Sequence, residues 1–301
     1  MTSSDGLRLY ARDYGPDVAD AVPVVCLSGL SRNSRDFHEL ATALSRDAPR
    51  RRVLALDYRG RGRSDWATDP AQYDVRVELD DTLQVLKAAG IGAAVFIGTS
   101  RGGLIIMALA AFRPDLLRGV VLNDVGPVLE REGLRRIRGY VGKLPDPRDF
   151  AQATEIMRGL SAGQFPRYTN AQWESLARAT WTERDGRLVL TYDPNLTKPL
   201  EALDLDGPLP DLWPFFEALK PVPVMAIRGA NSDLLTAETF QRMQAIHPDL
   251  TAVTVPDQGH APELEGDLVE AIRRFIEGIE TRRGRADPVD PDRGDAAPGR
   301  P

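Results

Sequence analysis

The feature that most restricts the fold of this chain is an alternation. Short apolar runs recur at Val24-Val25-Cys26-Leu27, Val53-Leu54-Ala55-Leu56, Ala94-Val95-Phe96-Ile97, Val120-Val121-Leu122, Val222 to Ile227 and Thr251 to Val255. Apolar runs of this length suit strands buried on both faces. Leu7 to Tyr14 does alternate and reads as a first strand. Helical patterns lie between the runs, at about Ser34 to Arg46, Val75 to Ala89, Gly103 to Ala111, Ala237 to Ile246 and Leu268 to Ile279. Strand–helix alternation predicts βαβ units, so the expected class is α/β with a mostly parallel, doubly wound sheet. A chain of 301 residues, 42% hydrophobic, has enough apolar material to cover both faces of such a sheet.

The alternation stops between Gly126 and Lys220. Helical segments dominate there, apart from the short apolar run Leu188-Val189-Leu190, and aromatic residues such as Trp173, Trp181 and Phe165 are frequent. The expected organisation is therefore a core of residues 1–125 and 220–281, with 126–219 inserted as a mostly helical cap. From Arg282 to Pro301, Pro, Gly, Arg and Asp replace large apolar residues. Such a segment buries too little surface to offset its ordering entropy, so 282–301 is expected to be a disordered tail.

Several function classes are excluded early. The net charge of -6 argues against a nucleic-acid partner, whose usual footprint is a basic patch. One cysteine, Cys26, rules out an internal disulfide and makes a cysteine metal cluster untenable, and the three histidines are far apart, so no metal site is expected. Cys26 itself reads as a core residue. The start Met1-Thr2-Ser3-Ser4 has no basic then apolar pattern, and no run of 18 apolar residues occurs. The expectation is a cytoplasmic protein without a membrane partner.

The chemistry is carried by Gly98-Thr99-Ser100-Arg101-Gly102-Gly103, which joins the run ending at Ile97 to a helical pattern. A serine between two glycines at a strand–turn–helix junction is held on a sharp turn with its hydroxyl exposed above the sheet. Glycine is required on either side because helix and strand close on one another there. Gly259-His260 follows the last strand-like run, and a histidine on that loop can reach the same end of the sheet to accept the serine proton. His38 and His247 sit in or at the end of helical patterns and are assigned structural roles. Two carboxylates follow strands: Asp233, in Arg228-Gly229-Ala230-Asn231-Ser232-Asp233, and Asp124, in Asn123-Asp124-Val125-Gly126. Asp233 is preferred as the residue that orients the histidine, since it completes the chain order Ser, Asp, His; Asp124 is the alternative, with capping or loop hydrogen bonding as its other role.

Together these residues resemble the α/β-hydrolase superfamily. The resemblance extends over about residues 5 to 280. It includes Leu27-Ser28-Gly29-Leu30 with Phe37 downstream, and the turn Asp57-Tyr58-Arg59-Gly60-Arg61-Gly62-Arg63-Ser64-Asp65. It is closest to the subgroup with a cap inserted after the sixth strand. The resemblance implies an oxyanion hole made by the backbone amides of Arg101 and Leu30. Where family members usually carry His-Gly, this chain has Ser28-Gly29, a change that leaves the amide donor intact.

The function implied is a serine hydrolase cleaving a small-molecule carboxylic ester or lactone through an acyl-enzyme, with Ser100, Asp233 and His260 catalytic and no cofactor. C–C bond hydrolysis, amide hydrolysis and acyl transfer share the same triad. A non-catalytic small-molecule receptor is the rival from another class, and the intact triad disfavours it. The expected partner is the small-molecule substrate, with self-association into a homo-oligomer left open. Ser28 and Arg101 are candidate substrate contacts: Arg101, with Arg131, Arg135, Arg136, Arg138 and Lys143 of the cap, could favour an anionic substrate. The arginines at 50, 51, 52, 59, 61 and 63 read as a solvated, ion-paired surface.

Overall fold

The computed structural model describes residues 1–18 and 21–286. The chain begins with β1 (Tyr10–Tyr14), followed by β2 (Val24–Leu27), α1 (His38–Arg46), β3 (Val53–Asp57), α2 (Val75–Ala89), β4 (Ala94–Thr99), α3 (Arg101–Phe112) and β5 (Leu117–Asn123). The insertion then contributes α4 (Arg131–Tyr140), α5 (Phe150–Ser161), α6 (Asn170–Thr180), the hairpin of β6 (Trp181–Arg184) and β7 (Arg187–Leu190), and the short α7 (Lys198–Glu201). Last come α8 (Trp213–Glu217), β8 (Val224–Gly229), α9 (Ala237–Ile246), β9 (Leu250–Val255) and α10 (Asp267–Ala286).

The main sheet has the order β1-β3-β2-β4-β5-β8-β9. Only β1 is antiparallel to its neighbour. The apolar runs explain how the sheet is covered. Successive side chains on a strand point to opposite faces. Val25, Leu27, Leu54, Leu56, Phe96 and Leu122 therefore pack on one side with α3 residues such as Ile105 and Leu109. Val24, Cys26, Val53, Ala55, Val95 and Ile97 pack on the other, with Leu40 and Leu44 of α1 and Ile272 and Ile276 of α10. Cys26 is wholly buried, and burial pushes its thiol well above the usual range, as befits a core side chain.

Two boundaries change here. Phe216 and Leu219 are fully buried in the same cluster as α3, so the chain rejoins the core at α8 rather than at residue 220. The insertion follows β5 and carries a hairpin beside its helices. At the other end, α10 runs on to Ala286, and Arg282 Nη1 donates to Asp249 Oδ2 at 2.8 Å. Residues 282–286 are thus helical; the remainder of the expected tail, 287–301, lies outside the described residues. Among the described residues no helix is long and apolar enough to cross a membrane.

The arginine run is also different from the expected solvated surface. Arg51, Arg59 and Arg61 are fully buried. Arg51 pairs with Glu280 of α10 at 2.7 Å, and Arg59 donates to both carboxylate oxygens of Asp81 and to Asp5. A buried guanidinium without a counter-charge would be strongly destabilising, and these carboxylates, from elements remote in sequence, supply it.

Candidate active site

The chain passes from β2 to β3 on one side and then to β4 on the other, so the strand order reverses between β2 and β4. In open α/β sheets the crevice beyond the strand ends at such a reversal is where ligands bind. Leu30 follows β2 and Ser100 follows β4, and both line a cavity of about 520 Å³ at that crevice.

Ser100 has φ 51 and ψ -112, a left-handed conformation that is uncommon and strained for a residue with a side chain. The turn is closed by Ser100 N donating to Asn123 O at 3.0 Å and by Gly103 N donating to Ser100 O at 2.9 Å. The flanking glycines are required by close approach. A Cβ on Gly102 would lie 2.0 Å from the Leu27 carbonyl oxygen, and one on Gly98 would lie 2.6 Å from the Gly102 carbonyl carbon. Ser100 caps the N-terminus of α3, whose partial positive charge favours developing negative charge at that point.

His260 lies on the loop after β9, and its Nε2 is 2.8 Å from Ser100 Oγ. Its Nδ1 is 2.7 Å from Asp124 Oδ2. The carboxylate on the histidine is therefore Asp124, and the expectation of Asp233 is corrected. The strand register explains the choice. Thr99 of β4 pairs with Asn123 of β5, so Ser100 and Asp124 leave the sheet side by side. Asp233 lies four residues beyond the end of β8, where the loop carries it away to Arg136 of α4: Arg136 Nε donates to Asp233 Oδ2 at 2.5 Å and Nη2 to Oδ1 at 2.8 Å. Asp124 is wholly buried and also accepts from Gly229 N at 2.8 Å and Ser232 Oγ at 2.6 Å. Burial alone would raise Asp233, but the Arg136 hydrogen bonds and charge outweigh it and hold its carboxyl below the ordinary range.

The loop bearing Leu30 is tied at several points. Arg32 N donates to Gly29 O at 3.1 Å, and Ser28 Oγ donates to Arg32 O at 3.0 Å. Ser28 is thus fully buried and occupied in the loop itself, which corrects its expected substrate contact. Among the described residues no acceptor takes the Leu30 amide or the Arg101 amide. For Arg101 this follows from its place as the first residue of α3, where helical amides have no partner within the helix. The Arg101 side chain turns away from the cavity: Nε donates to Glu78 Oε2 at 2.6 Å and Nη2 to Tyr73 O at 2.9 Å. It is not a lining residue, because the buried Glu78 carboxylate provides a charged partner beneath the elbow.

The insertion closes the cavity with Ile137 and Tyr140 of α4, Met157 of α5 and Phe165. Sequence reasoning missed Gln164, whose Oε1 accepts from His260 N at 3.0 Å and whose carbonyl accepts from Asn231 Nδ2 at 3.1 Å. A second tether is Asn123 Nδ2, which donates to Pro262 O at 2.9 Å. Of the basic run in and after α4, Arg131, Arg135, Arg138 and Lys143 are tied to carbonyls or surface acids, and Arg136, paired with Asp233, lines the cavity, as does Arg178 of α6. Near the cavity wall burial, together with Glu263 and Glu39, pushes Glu265 up to about 7. Among the described residues no group of three or more His, Cys, Asp or Glu side chains could hold a metal ion. His38 stacks at a tilt on Tyr14, and His247 is buried against Leu219 O, at 3.0 Å from Nε2.

Residues 24–272 match the family model described as the alpha/beta hydrolase family. A 3-hydroxybutyrate-oligomer hydrolase from Cupriavidus necator is 36% identical over 269 residues, covering 86% of this chain and 89% of its own. A 2-(acetamidomethylene)succinate hydrolase from Mesorhizobium japonicum is 28% identical over 257 residues, covering 83% and 86%. Among solved structures, an alpha/beta hydrolase from Novosphingobium aromaticivorans superposes with a TM-score of 0.85 at 42% identity, covering 92% of this chain and 96% of that one.

Proposed function

The chain belongs to the alpha/beta hydrolase family, and we propose that within it the chain is a serine hydrolase that cleaves small carboxylic esters or lactones through Ser100, His260 and Asp124. The observation that carries this reading is the unbroken hydrogen-bond chain from Asp124 through His260 to Ser100.

The steps follow from that chain. His260 Nε2 takes the Ser100 proton as Oγ attacks the carbonyl carbon, and the carbonyl π electrons move to oxygen. Asp124 holds the other ring nitrogen in its N–H form and stabilises the imidazolium. The Leu30 and Arg101 amides donate to the oxyanion, each worth about 3 kcal/mol to the transition state. On collapse the ester C–O bond breaks and the alcohol leaves with the proton from His260, leaving an acyl-Ser100. Water then attacks with His260 again as base, and the acid product departs as Ser100 regains its proton. The insertion acts as a cap, its apolar side chains limiting water around the acyl group.

The name of the Cupriavidus relative supports a narrower substrate class. A linear oligomer of a hydroxy acid is joined by ester bonds and ends in a carboxylate. We expect short oligoesters of this kind to be good substrates, in a cavity of the size that takes small-molecule ligands. Arg136, the member of the basic run that lines the cavity, replaces Arg101 as the residue expected to meet a free carboxylate end, through the Nη1 that its two hydrogen bonds to Asp233 do not use.

A substrate panel tests the reading: nitrophenyl esters, a hydroxy-acid dimer as free acid and as methyl ester, a lactone, an amide and a β-diketone. The expected result is ester or lactone turnover that disappears in Ser100→Ala, with the free acid preferred over its methyl ester. Higher kcat/KM on the amide or diketone would overturn the substrate class, and activity retained by Ser100→Ala would overturn the mechanism.

A further inference from the structure

The two backbone amides that the proposed reaction uses are joined behind the cavity by one buried carboxylate. Glu78 stands in the first turn of α2 and is wholly buried. Its Oε2 accepts from Arg101 Nε at 2.6 Å, and its Oε1 lies 2.6 Å from Arg61 Nη1. The two arginines lead to opposite sides of the crevice. Arg101 supplies the first amide of α3, next to Ser100, and its Nη2 is anchored on Tyr73 O. Arg61 Nε donates to the Leu30 carbonyl at 2.7 Å, and Nη1 donates to Arg59 O at 2.7 Å. A continuous path therefore runs from Leu30 through Arg61, Glu78 and Arg101 to the turn that carries Ser100.

The charge of Glu78 matters because two guanidinium groups share it. Arg61 is fully buried and the Arg101 side chain only 16% exposed, so water screens their repulsion weakly. Burial by itself would neutralise Glu78; the charges of Arg101 and Arg61 outweigh it, keeping the carboxyl below the ordinary range and ionised at neutral pH. With the carboxylate removed, like charges would face one another between the Leu30 loop and the head of α3.

We propose that Glu78 is a positioning residue that sets the separation of the Leu30 and Arg101 amides through its paired arginines. The proposal rests on the reading of Ser100 as the nucleophile. It makes a distinctive demand on kinetics. The amides meet negative charge that develops only in the transition state, so their misplacement lowers kcat and leaves substrate binding nearly intact. An ion cluster that merely held α2 against the sheet would lower thermal stability without that kinetic signature.

The test uses the full chain with Glu78→Gln, which keeps shape and removes charge. Its kcat on a nitrophenyl ester is expected to fall about tenfold to a hundredfold, the range for ångström-scale misplacement of a reacting group or loss of one oxyanion donor. KM should stay within about threefold. The Ki of a trifluoromethyl ketone, which forms a tetrahedral oxyanion on a serine, should rise in proportion to the loss in kcat/KM. Should Glu78→Gln fail to fold, Arg101→Met serves in its place: it keeps the Arg101 amide, cuts the same tie, and should also lower kcat and ketone affinity together. Unchanged kcat in a folded variant, or a change confined to KM, would overturn the proposal. Labelling of wild-type Ser100 by a fluorophosphonate separates the two levels. Labelled wild type with unaltered Glu78→Gln kinetics removes only the Glu78 role, whereas wild type that turns over ester without label at Ser100 removes both.

Discussion

Replacing Asp124 by Asn tests the corrected carboxylate most sharply. The buried Asp124 carboxylate accepts three hydrogen bonds, from His260 Nδ1, Gly229 N and Ser232 Oγ. Asn retains one oxygen and presents an NH₂ group where a donor already points. Losing one to two charge-assisted hydrogen bonds in a buried site costs about 3 kcal/mol of stability. In a domain of this size that lowers Tm by about 6–12 °C. The kinetic effect is larger. An amide beside Nδ1 favours the tautomer with the proton on Nε2, which cannot take the Ser100 proton, and kcat should fall about 10⁴-fold, or about 5 kcal/mol of barrier. Asp233→Asn leaves Arg136 an acceptor at a partly exposed site, so kcat should stay within about threefold and stability within about 1 kcal/mol. The assay is nitrophenyl butyrate turnover for both variants, with thermal melts to confirm folding. A fall of several orders of magnitude in Asp233→Asn, with Asp124→Asn near wild type, would return the role of histidine partner to Asp233.

Gly102→Ala should destabilise by more than about 3 kcal/mol in a denaturant melt, because the methyl would overlap the backbone of β2; a change under about 1 kcal/mol would contradict the packing of the elbow. His260→Gln should lose at least about a thousandfold in kcat, whereas His247→Gln should lower Tm through its buried contact with Leu219 O and leave kcat unchanged. Glu265→Gln should raise Tm at pH 8 but not at pH 4. Partial burial, with Glu263 and Glu39, holds this carboxyl proton up to about 7, so the native protein loses stability as pH rises from 4.5 through about 7; the side chain is largely exposed, so water screens the effect and the gain from Gln is small. Equal Tm differences at the two pH values would contradict it.

Much of the core was legible because the buried strands are short apolar runs and the helices between them are amphipathic. The elbow was legible for a different reason: the glycines are required by backbone contacts within a few residues of Ser100, so their cause is local. The carboxylate was not. Asp124 and Asp233 both follow strands and both satisfy the order Ser, Asp, His, and what separates them is the register of β4 against β5. Asp124 stands one residue past its strand with φ 53, a conformation that Asp tolerates better than most residues, but that turn is visible only in the fold. The burial of Arg51, Arg59 and Arg61 had no local signal either. Their partners Glu280, Asp81 and Glu78 lie 17 to 229 residues away, and only the folded sheet brings them together. Gln164 was equally hidden, since its contact with His260 depends on how the insertion folds over the core.

All of the proposed chemistry requires Ser100 to be the nucleophile of an acyl transfer, activated by His260. Intact-mass spectrometry after treatment with a fluorophosphonate, followed by peptide mapping, tests it directly. One phosphonyl adduct per chain is expected, located on Ser100, absent in Ser100→Ala and formed at least a hundredfold more slowly in His260→Gln. An adduct on another residue, or full ester turnover by a chain that takes none, would contradict it.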